Sequence, residues 1–130
     1  MTGLALPASL PGRVMLGVRF TCGAASWFAP KSTMRLLGME PDRAPETIYV
    51  GRLFGTRDAV LGAGLLAARG EARRRWWLLG IACDVSDALA GIVGARRDQL
   101  PKNAAVRTLL IGAGVVGAGL GAWALAAEDL

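Results

Sequence analysis

Four apolar blocks constrain this chain more than any motif in it: Gly12 to Ala29, Ile48 to Ala68, Trp76 to Ala95 and Thr108 to Ala127, of 18, 21, 20 and 20 residues. As helices rising about 1.5 Å per residue, each reaches roughly 27 to 32 Å, which matches a bilayer hydrocarbon core of roughly 30 Å. Eighteen glycines in 130 residues point the same way, because glycine is commoner in transmembrane helices than in soluble ones. Most of the charged residues collect between the blocks rather than along polar helix faces. The expected fold is all-α: a polytopic membrane protein, one domain over residues 1–130, folded as a four-helix transmembrane bundle.

The joins carry interfacial signals. Trp27, Phe28 and Pro30 precede Lys31, an aromatic anchor and a helix breaker meeting a charge. Pro45 and Glu46 suit the first turn of span two, where a missing N–H is harmless and a carboxylate faces the positive helix end. "RGEARRR" (69–75) leads into Trp76 and Trp77, and "ARRDQLPK" closes span three. The first twelve residues contain no basic side chain and Arg19 interrupts the following apolar run, so a short tail is expected rather than a signal peptide. Five basic residues on the tail side (Arg13, Arg69, Arg73, Arg74, Arg75) against seven on the other (Lys31, Arg35, Arg43, Arg96, Arg97, Lys102, Arg107) do not decide the topology. The uncharged tail and acidic end lean toward both termini outside.

Arg13, at the edge of the first block, belongs with the tail-side basic residues, but six charges fall deeper inside the blocks: Arg19 in span one, Arg52, Arg57 and Asp58 in span two, Asp84 and Asp87 in span three. At about 3 kcal/mol for each unpaired charge on insertion scales, six would cost roughly 18 kcal/mol, so pairing is expected. Asp84 and Asp87, three apart, share a helix face, whereas Arg57 and Asp58 diverge by about 100°. Arg57 is therefore assigned to Asp84 or Asp87 and Arg19 to Asp58 or Asp84, with Thr21, Thr56 and Ser86 as supporting hydrogen-bonding groups. Arg52, about a turn from the interface, can snorkel. Three Arg against three Asp favours a structural, fully compensated cluster over a proton or ion path, which needs a group free to change charge.

Span four carries Ala113, Gly117 and Gly121 at four-residue intervals, a face with almost no side chains that a neighbouring helix can approach closely. Gly112, Gly114 and Gly117 also match GxGxxG. A dinucleotide site needs a further helix, a second strand and an acidic residue about 20 positions on, and only thirteen residues follow Gly117. With no histidine and no CxxC, the chain offers no obvious zinc, haem or His-based catalytic site. Cys22 and Cys83 read as small apolar fillers. No cofactor or metal is expected, and the chain is not expected to be an enzyme. The pI of about 10.2 raises an acidic-polymer binder, but the basic residues flank spans as topology and anionic-lipid anchors, so a nucleic-acid partner is not expected.

The "GVRF" of span one, the "FAP" at its end, the "GRLFGTRDAVLG" entry to span two and the Asp in span three resemble a family of small bacterial four-helix membrane proteins of unknown function, over about Arg13 to Ala126. That resemblance implies a multi-pass protein of the bacterial plasma membrane and assigns no activity. Four short helices leave little room for a substrate cavity of several hundred Å³. The expectation is thus a non-catalytic accessory or scaffolding subunit of a larger envelope complex, lipid-transport or respiratory, or a homo-oligomer, in a bilayer with anionic lipids. The alternative is a small oligomeric transporter or channel using the Arg/Asp cluster.

Overall fold

A computed structural model describes residues 3–128 and contains five helices and, among the described residues, no strand: α1 (Leu10–Phe28), α2 (Pro30–Leu36), α3 (Glu46–Ala67), α4 (Gly70–Arg96) and α5 (Ala104–Glu128). Three local features differ from the sequence expectation. Pro30 does not simply stop a helix; it occupies the first turn of α2, where a proline needs no hydrogen-bond donor, so the linker contains a fifth helix. The basic run 69–75 is largely helical, extending α4 by six residues ahead of Trp76. Span four likewise starts earlier, because the Asn103 side chain accepts from the N–H groups of Ala105 and Val106.

The four long helices form an antiparallel ring in the order α1, α3, α4, α5, with α5 closing back onto α1. The α1/α3 and α4/α5 seams are the extensive ones, and both depend on glycine. Gly23 and Gly55 face each other so closely that a Cβ on either would lie 3.0 or 3.1 Å from the other's carbonyl oxygen. On α5, a Cβ at Gly114 would meet the backbone of Asp84 and Ala88 at 2.7 Å. The face used is therefore Gly114, Gly117, Gly121 and Ala124, in steps of three, four and three. Ala113, assigned to that face from the sequence, points outward. A strict four-residue row advances 400° per step and drifts off the contact line, whereas alternating threes and fours follows it.

Met15, Leu16, Leu65, Trp77 and Ala124 form an apolar layer toward one end of the ring. There residues 3–5 are strapped across the bundle: the Ala5 N–H donates to Leu66 O at 3.1 Å, Arg73 donates to the carbonyls of Ala5 (2.7 Å) and Ala68 (2.9 Å), and Arg69 donates to the Gly3 carbonyl. At the other end α2 packs Met34 beneath Gly51, and Gly38 takes a left-handed φ of 79° against Val106, a position that leaves no space for a side chain. "MRLLGM" is thus partly pinned to the bundle, with Leu36 left exposed. Two helices, α4 and α5, are long and apolar enough to cross a membrane.

Candidate functional site: a buried ion-pair cluster

Next to the apolar layer lies a polar one. Arg19 projects from α1 into the centre of the ring and is 5% exposed; Asp58 of α3 and Asp84 of α4 are equally hidden. Its guanidinium grips Asp84 with two bonds, 2.9 and 2.6 Å, while one of the same nitrogens reaches Asp58 at 3.1 Å. A third acceptor is the Gly80 carbonyl, 3.3 Å away. Helices α1 and α4 are not neighbours in the ring, so Arg19 spans its diagonal. Gly80 eases the approach, because a Cβ there would make a tight 3.1 Å contact with the guanidinium. Gly117 of α5 closes the cluster from the remaining side; a Cβ on it would lie 2.9 Å from the Asp84 carboxyl carbon.

One turn along, Arg57 of α3 and Asp87 of α4 form a second two-bond pair at 2.8 and 2.6 Å, with Arg57 also stacked over Phe54 at 4.3 Å. Such planar fork-to-carboxylate pairs combine charge with geometric selectivity. Arg57 lies 3.6 Å from Asp58 as well, linking the two pairs into one network. The choice left open by the sequence is thereby resolved: Arg57 takes Asp87, and Arg19 takes both Asp84 and Asp58.

Arg52 does not join them. It is exposed, and its guanidinium lies 5.7 Å from the centre of the Trp27 ring. The cluster, buried at Arg19, Asp58 and Asp84 and half-buried at Arg57 and Asp87, is consequently two Arg against three Asp, a formal charge of −1, rather than the balanced three against three counted along the chain. Thr21, Thr56 and Ser86 also stay outside it. Thr21 is exposed, Thr56 accepts from the Trp27 indole N–H at 3.0 Å, and Ser86 donates to its own helix at Ala82. The sequence reading missed Gly80, whose carbonyl and lack of Cβ both serve Arg19; a glycine one turn before Asp84 on the same face was the available signal.

Two open concavities of about 490 and 480 Å³ lie at opposite ends of the ring, lined respectively by residues around Arg73 and Glu128 and by residues around Lys31 and Arg52. Among the described residues no group of three His, Cys, Asp or Glu is placed to hold a metal ion. The chain matches no family model, no curated protein and no solved structure.

Proposed function

We propose that all four long helices cross a bilayer and that the protein is a non-catalytic accessory or scaffolding subunit of a bacterial plasma-membrane complex. The observation that carries the membrane reading is the inversion of α1 and α3. Both carry charges that lower their average hydropathy, yet Arg19 and Asp58 are buried while Val14, Val18, Leu53 and Val60 face outward at 44 to 53% exposure. A water-soluble bundle places these groups the other way round; lipid as the outer solvent accounts for both. Helices of 19 to 27 residues, about 28 to 40 Å long, are sufficient to span.

The scaffolding role is supported by the ion pairing that ties α1, α3 and α4 together. Each Arg of the cluster is held by two strong bonds to one carboxylate, an arrangement suited to fixing helix register and neighbour choice. Both concavities lie at the ends of the ring, away from this network. Membership of the small four-helix family belongs to the same proposal. Purification from native membranes in mild detergent tests it: stoichiometric membrane-protein partners are expected, and a monomer that co-purifies with nothing contradicts the role. One observation favours the alternative transporter or channel reading, namely the surplus carboxylate, since a cluster of charge −1 can accept a proton or small cation. Proton or cation flux in proteoliposomes that is abolished by Asp58→Asn would put that reading first.

A further inference from the structure

The 480 Å³ concavity between the end of α1 and the start of α3 combines features that the buried network does not explain. Phe28, Pro30 and Ile48 give it apolar walls, and Lys31, Ser32 and Arg52 give it a polar side. Arg52 has no acidic partner among the described residues, and no Asp or Glu lies three or four positions from it on α3. Its one ring contact is with Trp27, which holds the guanidinium beside the groove. Lys31 has Asp42 at 3.4 Å, but Arg35 binds that carboxylate more closely, at 2.6 Å, so one anion answers two cations. The result is a local excess of positive charge next to exposed aromatic rings.

Depth decides what this excess can hold. Phe28 ends α1 and Ile48 lies in the first turn of α3, so the groove sits at one end of the ring, with Arg52 one turn deeper. A soluble anion gains nothing from Phe28, Pro30 and Ile48. A lipid uses both sides, its phosphate against the cations and its acyl chain past Phe28 onto the outward apolar face of α1. We propose that this groove is a binding site for one anionic glycerophospholipid, with Arg52 and Lys31 as the phosphate-binding groups; the inference rests on the membrane reading above.

Native mass spectrometry of the full chain in a neutral detergent, titrated with dioleoylphosphatidylglycerol or dioleoylphosphatidylcholine, tests it. The parent protein is expected to retain one phosphatidylglycerol in preference to phosphatidylcholine. Arg52→Gln and Lys31→Gln should each reduce that preference about fivefold, the scale of one basic residue beside an anionic surface. The double variant should abolish it, and Arg43→Gln, which removes a cation paired with Glu40 at the same end, should leave it intact. Equal retention of the two lipids by the parent, or an undiminished preference in the double variant, overturns the site. Displacement by glycerol phosphate at the same concentration as by intact lipid overturns the lipid assignment. Carbonate washing of membranes separates the two levels: a parent released by the wash overturns the membrane reading itself, whereas a retained parent without lipid preference overturns the groove alone.

Discussion

Removing Arg19 is expected to harm the protein far more than removing the charge of Asp58, although the two groups touch and are equally buried. Arg19→Met takes the network from a charge of −1 to −2 and strips Asp84 of both its strong bonds and Asp58 of its shorter Arg contact. Breaking a buried pair by deleting one partner costs about 3–5 kcal/mol, because the other charge is left unanswered. Asp58→Asn has the opposite arithmetic. It brings the network to zero, retains a carbonyl oxygen 3.1 Å from Arg19, and leaves the Arg19–Asp84 and Arg57–Asp87 pairs whole. Its cost should stay within about 1 kcal/mol, the net worth of one ordinary hydrogen bond. The assay is reversible unfolding by SDS in mixed micelles, followed through tryptophan fluorescence, for which buried Trp77 is a suitable reporter. Adding Asp58→Asn and Asp84→Asn to Arg19→Met should recover part of the loss, since a neutral set leaves only polar groups and a packing defect. Equal destabilisation by Arg19→Met and Asp58→Asn would refute the charge argument, as would an Arg19→Met variant as stable as the parent.

The second pair is nearly a third exposed, so Arg57→Met should cost less than Arg19→Met in the same unfolding assay, about 1–2 kcal/mol, after discounting the buried-pair value for solvent. Gly114→Ala should cost about 1–3 kcal/mol by forcing α4 and α5 apart, whereas Gly112→Ala and Gly119→Ala, with nothing within 4 Å, should be neutral or stabilising by up to about 1 kcal/mol. Asp42 is held below the usual carboxylate range by hydrogen bonds from Arg35 and then Lys31. Its contribution to ordering the α2 end is therefore present above the unfolded carboxylate value and lost as pH falls through the depressed folded one. An NMR titration of the Asp42 carboxyl should show that depression, and Arg35→Gln should largely remove it.

Much of this architecture was legible because apolar block length and the placement of charges report directly on helix length and pairing. Helical angles narrowed the partners to Asp84 or Asp87 for Arg57 and Asp58 or Asp84 for Arg19, since Asp84 and Asp87 share a face; choosing among them took the structure. Less was legible where two physical roles share one residue type. Pro30 both ends α1 and begins α2, so reading it only as a breaker hid the fifth helix. The arginines of 69–75 were set outside span three as an interfacial join, but arginine is a good helix former, and Arg73 is used inside α4 to tie down the segment at Ala5. Arg52 was counted in the three-against-three balance, although its depth, about a turn from the interface, already allowed it to snorkel. Its azimuth, 140° away from Arg57 along the helix, turns it toward Trp27 instead. The error at Ala113 was one of pitch, a four-residue row substituted for the three-four alternation that glycine contacts follow.

The central claim is that α1 and α3 meet lipid on the faces where the structure exposes Val14, Val18, Leu53 and Val60. Spin labels at single cysteines in these four positions, in a background with Cys22 and Cys83 replaced by alanine and reconstituted into bilayers, test it through collision with oxygen and with a water-soluble nickel chelate. The account predicts high oxygen and low nickel accessibility at Val18, Leu53 and Val60, as at Val115 on α5. Nickel accessibility at Val18 and Val60 equal to that of a label at Arg43 in the linker would place α1 and α3 in water and contradict it.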